Sequence, residues 1–140
     1  MINLKEMEFE KLELEIEKIF DQQNEDTFEQ VPERNAEKIV IGAYDGENLA
    51  GGIIGSKQYQ NVHINMLAVK DDYRGHSVGS KLLKEVEKRS KEMDIIHITL
   101  STKSYQAEGF YKKHGYEVFG ILEDMPFKGV TKFYFYKRLG

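Results

Sequence analysis

Met66-Leu67-Ala68-Val69-Lys70-Asp71-Asp72-Tyr73-Arg74-Gly75-His76-Ser77-Val78-Gly79-Ser80-Lys81-Leu82-Leu83 is the stretch that decides the fold. It opens on apolar residues, crosses a charged loop, and ends in the helical spacing of Val78, Leu82, Leu83, Val86 and Met93. Strand, loop and amphipathic helix therefore follow one another. A helix start leaves several backbone N–H groups unpaired and carries partial positive charge, so it accepts an anion. Glycines beside it let the backbone approach a phosphate closely, and Arg74 can add a charge-assisted contact. The same residues also read as an ordinary glycine-containing turn, and local physics does not choose between the two.

Upstream, Phe9, Leu12, Ile16, Ile19 and Phe20 recur at helical spacing among Glu and Lys. Leu12, Leu14 and Ile16 also alternate as a strand would, but the Glu/Lys richness favours a helix. The polar run from Asp21 to Asn35, with Pro32 inside it, reads as a loop or a short broken helix. Glu37 to Tyr44 forms a strand, Asp45-Gly46 a hairpin turn, and Leu49 to Ser56 the returning strand. Gly51, Gly52 and Gly55 imply close backbone contacts in that strand. Val62 to Val69 follows as a third β segment. Downstream, Ile95 to Leu100 is a strand and Tyr105 to His114 a short helix stopped by Gly115. Tyr116 to Leu122 and Thr131 to Leu139 are the last two strands. The 140 residues suit one domain, 1–140, with one core.

Composition bounds the function. The chain is 40% hydrophobic and 31% charged, with a net charge of −4, which argues against a broad nucleic-acid surface. No apolar run approaches the ~20 residues of a membrane span, and the start lacks the pattern of a signal peptide, so a cytoplasmic protein without a membrane partner is expected. The absence of cysteine excludes disulfides, thiolate metal sites and a cysteine nucleophile. His76, His97 and His114 show no metal-ligand spacing, so no metal is expected.

Leu67-Ala68-Val69 and Tyr73 to Leu83, together with Ala107-Glu108-Gly109-Phe110-Tyr111-Lys112-Lys113-His114-Gly115-Tyr116, resemble two signature segments of the GNAT superfamily of N-acetyltransferases. The resemblance spans roughly Glu37 to Leu139 and implies an α/β fold, the acyl-CoA N-acyltransferase fold. Its central mixed, mostly antiparallel sheet is flanked by helices and splayed near Val69. The activity implied is acetyl transfer from acetyl-CoA, as co-substrate, to a primary amine of a small molecule or peptide by direct attack. The family pattern Arg/Gln-x-x-Gly-x-Gly/Ala falls on Arg74, Ser77 and Gly79, so Ser77 stands where the pattern has glycine. Its Cβ could crowd the pyrophosphate, or its hydroxyl could donate to it. The resemblance also implies that backbone groups of Leu67, Ala68 and Val69 align the pantetheine arm. The amides of Gly75, His76, Ser77, Val78, Gly79 and Ser80 would hold the pyrophosphate. Ser104 stands where many relatives carry a cofactor-contacting Asn.

Two residues are candidates for proton transfer. Tyr111 occupies the family's Phe-Tyr-x-x-x-Gly position, where the phenol often protonates the departing thiolate; the other reading is a tyrosine packed under the sheet. His63, four residues before Leu67, stands where several relatives carry a catalytic carboxylate. Strand alternation would put His63, Asn65 and Leu67 on one side, and imidazole has a suitable pKa for a base; a structural histidine, with water as base, is the other reading. Lys103, Lys112 and Lys113 could meet an outer phosphate, and Glu123 and Asp124 a cationic amine. Rival functions are a non-catalytic acyl-CoA-binding regulatory module and transfer of a bulkier acyl group. The aromatic run Phe133, Tyr134, Phe135 and Tyr136 gives the last strand apolar surface enough for a homodimer contact.

Overall fold

The computed structural model describes residues 1–104 and 107–140. They divide into two compact units, Met1–Glu33 and Arg34–Gly140. The first carries one helix, α1 (Phe9–Thr27). It runs past Asp21 to Thr27, into the polar run that reads as a loop or a short broken helix, because Gln, Glu and Asp continue a helix without needing an apolar face. Gln22 Nε2 donates to Asp26 Oδ1 at 3.0 Å, and Thr27 Oγ1 donates to Gln23 O at 2.8 Å. The Phe28 amide closes the end on Asn24 O.

The second unit follows the expected order: β1 (Glu37–Asp45), β2 (Asn48–Gln58), β3 (Asn61–Val69), α2 (Val78–Glu92), β4 (His97–Lys103), α3 (Glu108–Lys113), β5 (Glu117–Glu123) and β6 (Thr131–Arg138). The start expected for α3 at Tyr105 lies outside the described residues. Its end is as expected: Gly115 turns out at a φ of 85° and returns its amide to Lys112 O. The six strands form one sheet in the order β1-β2-β3-β4-β6-β5. Every pairing is antiparallel except β3 with β4.

That parallel pairing decides where a ligand can go. It covers only Asn61, Val62 and His63 against His97, Ile98 and Thr99. Beyond His63 the two strands part, so the β4-facing edge of β3 runs on without a ladder partner. The opposite edge of β3 stays tied to β2, with Gly51 across from Val69. A Cβ on Gly51 would lie 2.6 Å from Ala68 O, so only glycine admits this approach. On one side of the sheet, Leu82, Leu83 and Val86 of α2 bury against Ile39, Ile53, Val62, Ile64, Ile98, Leu100 and Phe135. Leu83 and Val86 are completely buried, and each such side chain contributes about 1.5–3 kcal/mol. This packing fixes the start of α2 beside the open edge of β3. Among the described residues, no helix is long and apolar enough to cross a membrane.

Candidate active site

A cleft of about 790 Å³ opens where β3 and β4 part. One wall is Ile64 to Val69, the other Leu100, Ser101 and Thr102, and Arg74, Gly79, Ala107, Phe110 and Tyr111 complete it. Of the residues singled out from sequence, Leu67, Ala68, Val69, Arg74, Gly79 and Tyr111 line this one cleft.

The loop reaches it by a fixed path. Lys70 N donates to Ala50 O, and a short 3₁₀ turn at Asp71–Tyr73 follows. Tyr73 anchors that turn by donating its hydroxyl to Asp45 Oδ2 at 3.0 Å. Arg74 pairs with Asp71 at 3.2 Å, with both side chains largely exposed, so the guanidinium can turn to an incoming anion at little cost. Ser77 precedes the first turn of α2 in the left-handed region, φ 61° and ψ 21°, and makes no side-chain cap bond. An ordinary Ser cap is extended and satisfies an amide two or three residues on. Here the first amides of α2 are left without that partner, and its first turn holds no acidic residue. Such a helix start is open to an anion.

Tyr111 is buried among Phe110, Tyr116 and Phe135, with ring centroids 5.2, 6.0 and 5.8 Å away. Burial raises its pKa above the ordinary phenol value, so the hydroxyl keeps its proton at neutral pH. Phe110, given no role from sequence, lines the cleft beside Gly79, where an added Cβ would lie 3.4 Å from its Cζ.

His63 stands elsewhere than strand alternation suggests. A bulge at Asn65 breaks the register with β2, which runs from Gly55–Ile64 directly to Ile54–Met66. Val62 and Ile64 are buried before the bulge, and Leu67 and Val69 take the inward positions after it. His63 and Leu67 therefore face opposite sides of the sheet, a correction to the expected alternation. His63 lines a separate hollow of about 350 Å³ with Ser56, Gln58, Tyr59, Asn61 and Asn65. Asn65 borders both spaces. His63 Nδ1 lies 2.8 Å from Thr99 Oγ1. Partial burial, and then the charge of Lys132, push the imidazole pKa below its ordinary value.

Ser104 is not in the cleft wall. Its hydroxyl accepts from Thr131 N at 3.3 Å and its amide donates to Thr131 O, so it closes the end of the β4–β6 pair. Lys112 is paired with Glu108 at 3.6 Å. Asp124 accepts the Gly129 amide within the β5–β6 loop.

The acetyltransferase (GNAT) family is the one whose model matches, over residues 4–116. Blasticidin-S acetyltransferase of Streptomyces morookaense is 36% identical over 92 residues, 65% of this chain and 67% of that protein. The crystal structure of an acetyltransferase from Bacillus cereus ATCC 14579 superposes with a TM-score of 0.83 at 32% identity, covering 99% of this chain and 98% of the other. An aminoglycoside 6'-N-acetyltransferase complexed with coenzyme A shares the fold, with a TM-score of 0.67 at 22% identity over 74% of each chain.

Proposed function

The chain belongs to the acetyltransferase (GNAT) family, and we propose that it transfers the acetyl group of acetyl-CoA to a primary amine of a small molecule or peptide by direct attack. One observation carries this reading. The unpaired edge of β3, the uncapped start of α2 and the buried phenol of Tyr111 converge on a single cleft. We take residues 1–140 as one acetyltransferase domain, because the family match runs across both compact units.

The residues present fit acetyl-CoA. Its pantetheine arm carries amides that would join the open edge at Leu67–Val69 as an added strand does. Its pyrophosphate would meet the amides from Gly75 to Ser80 and the Arg74 guanidinium. When bound, it supplies an activated acetyl group. Tyr111 would give its proton to the departing thiolate, and a backbone N–H in the Leu67–Val69 segment would stabilise the oxyanion. An amine entering by the hollow that Asn65 shares with the cleft would meet His63 as base. Its lowered pKa favours the neutral, proton-accepting form. A small-molecule amine is supported by the relatives named for blasticidin S and for aminoglycosides.

The test is thiol release from acetyl-CoA across a panel of blasticidin S, aminoglycosides, polyamines and peptide N-termini. Release that depends on one of these amines supports the reading. Acetyl-CoA binding without release on any of them would instead favour a binding module, and faster release from a longer acyl-CoA a bulkier acyl donor.

Ser77 yields a prediction of its own. A side chain in the left-handed region costs about 1–2 kcal/mol, and glycine adds back about 0.4–1 kcal/mol of unfolded-state entropy. Ser77→Gly is therefore expected to raise the melting temperature by a few degrees. The substitution keeps the backbone amide that would meet the pyrophosphate, so acetyl-CoA affinity should stay unchanged. Calorimetry would read both, and a loosening of about 1 kcal/mol would assign the hydroxyl to the phosphate after all.

A further inference from the structure

Three helix and strand elements meet at His114, a residue the reaction above does not use. It follows α3 directly, and its own amide turns back to Tyr111 O instead of to Phe110 O. That shift leaves Phe110 O for the imidazole, whose Nδ1 lies 2.8 Å away. A carbonyl can only accept, so Nδ1 carries the hydrogen. The neutral ring then has its lone pair on Nε2, which lies 3.0 Å from Ser80 Oγ in the first turn of α2. To the neutral ring, Ser80 donates. The ring also packs against Phe110 at a centroid distance of 4.5 Å. Its backbone is held from the far side: Lys137 of β6 donates to His114 O at 2.9 Å. The same ammonium pairs with Glu87 of α2 at 3.1 Å, which also accepts from Tyr116.

These bonds join two segments that serve opposite ends of the same ligand. The start of α2 is the proposed phosphate site, while α3 carries Tyr111, the proposed proton donor. Ser80 and His114 are 34 residues apart in sequence, and their bond ties the one to the other. We propose that His114 is a positioning residue that clamps α3 to the first turn of α2 and so sets the placement of the Tyr111 hydroxyl. The proposal rests on the acetyltransferase reading above. It also has a consequence for Ser80: with its proton committed to His114, its hydroxyl is not a donor to phosphate, and its contribution there comes from the backbone amide alone.

His114→Asn separates the clamp from local capping. The shorter amide keeps a donor near the Nδ1 position for Phe110 O but cannot reach Ser80. Ser80→Ala removes the other half of the bond and keeps its amide. Each is expected to lower kcat about tenfold, the cost of misplacing a catalytic group slightly and not removing it. The KM for acetyl-CoA should change little. The double variant should be no worse than either single one, because all three lack the same bond. Wild-type kcat in His114→Asn would overturn the clamp and leave only the cap. A rise in the acetyl-CoA Kd in Ser80→Ala, not shared by His114→Asn, would overturn it in favour of a direct Ser80–phosphate contact. If the wild-type protein turns over no amine, the functional reading fails on its own. Imidazole ¹⁵N shifts then still decide the clamp: the Nε2 signal of His114 must move in Ser80→Ala, and one that does not move overturns it.

Discussion

Tyr111→Phe is expected to lower kcat by a factor of roughly 100 or more, the usual cost of losing a general acid, with the KM for acetyl-CoA nearly unchanged. The substitution removes one oxygen and keeps the ring among Phe110, Tyr116 and Phe135. Among the described residues the hydroxyl makes no hydrogen bond, so its loss breaks none there and the melting temperature should hold. The two readings of this tyrosine thus separate cleanly. A packing residue would keep its turnover as Phe, because packing is what Phe preserves. A proton donor would lose turnover without losing stability. The elevated phenol pKa bears on the pH profile as well. Because burial keeps the proton on, the fall in kcat as Tyr111 deprotonates should come on the alkaline side, above the ordinary phenol range. The measurement is kcat against pH for both proteins, with thermal unfolding as the control for folding. A Phe variant that retained most of its kcat would assign the acid to water or to another residue.

The elements that line the cleft are legible locally, while their chemistry is legible only through the resemblance. Leu67 to Leu83 carries a strand pattern, a glycine-containing loop and a helix pattern in immediate succession, so each element is specified by its own residues. The Phe110-Tyr111 pair came from the resemblance, through the family's Phe-Tyr-x-x-x-Gly spacing ended by Gly115. What escaped is non-local. The bulge at Asn65 depends on register with β2, and no periodicity within β3 announces it; that one residue is why His63 and Leu67 part company. The left-handed backbone of Ser77 was invisible because serine does not demand that conformation as glycine suggests it. The Ser80–His114 bond crosses from α2 to α3, so nothing in either segment points to the other. Ser104 stands where a ligand contact is expected, and its hydroxyl also accepts from Thr131 N at the end of the β4–β6 pair, a role no local pattern announces. In each case a long-range partner, absent from the local sequence, decided what a legible residue does.

Gly79→Leu is expected to weaken acetyl-CoA binding strongly while leaving the fold intact. Gly79 lies in the first turn of α2 with an ordinary helical backbone, so a side chain meets no conformational strain there. Helix propensity even favours the change by up to about 1 kcal/mol. The obstacle is space. An added Cβ would sit 3.4 Å from Phe110 Cζ and 3.7 Å from Val69 Cγ2, which is ordinary contact, so Gly79→Ala should bind almost as the wild type does. The further carbons of leucine must run between Phe110 and Val69 or into the cleft they border. Overfilling of this kind typically costs about 1–3 kcal/mol, equivalent to roughly 5–150-fold in Kd. The part that projects into the cleft falls on the bound state, because the cleft is open without ligand. Alanine and leucine therefore form a graded pair, and their difference isolates volume from the loss of glycine as such. Calorimetric titration with acetyl-CoA, with circular dichroism to verify the helices, reads the outcome. An unchanged Kd in a folded Gly79→Leu protein would place the ligand elsewhere and remove the start of α2 from the binding site.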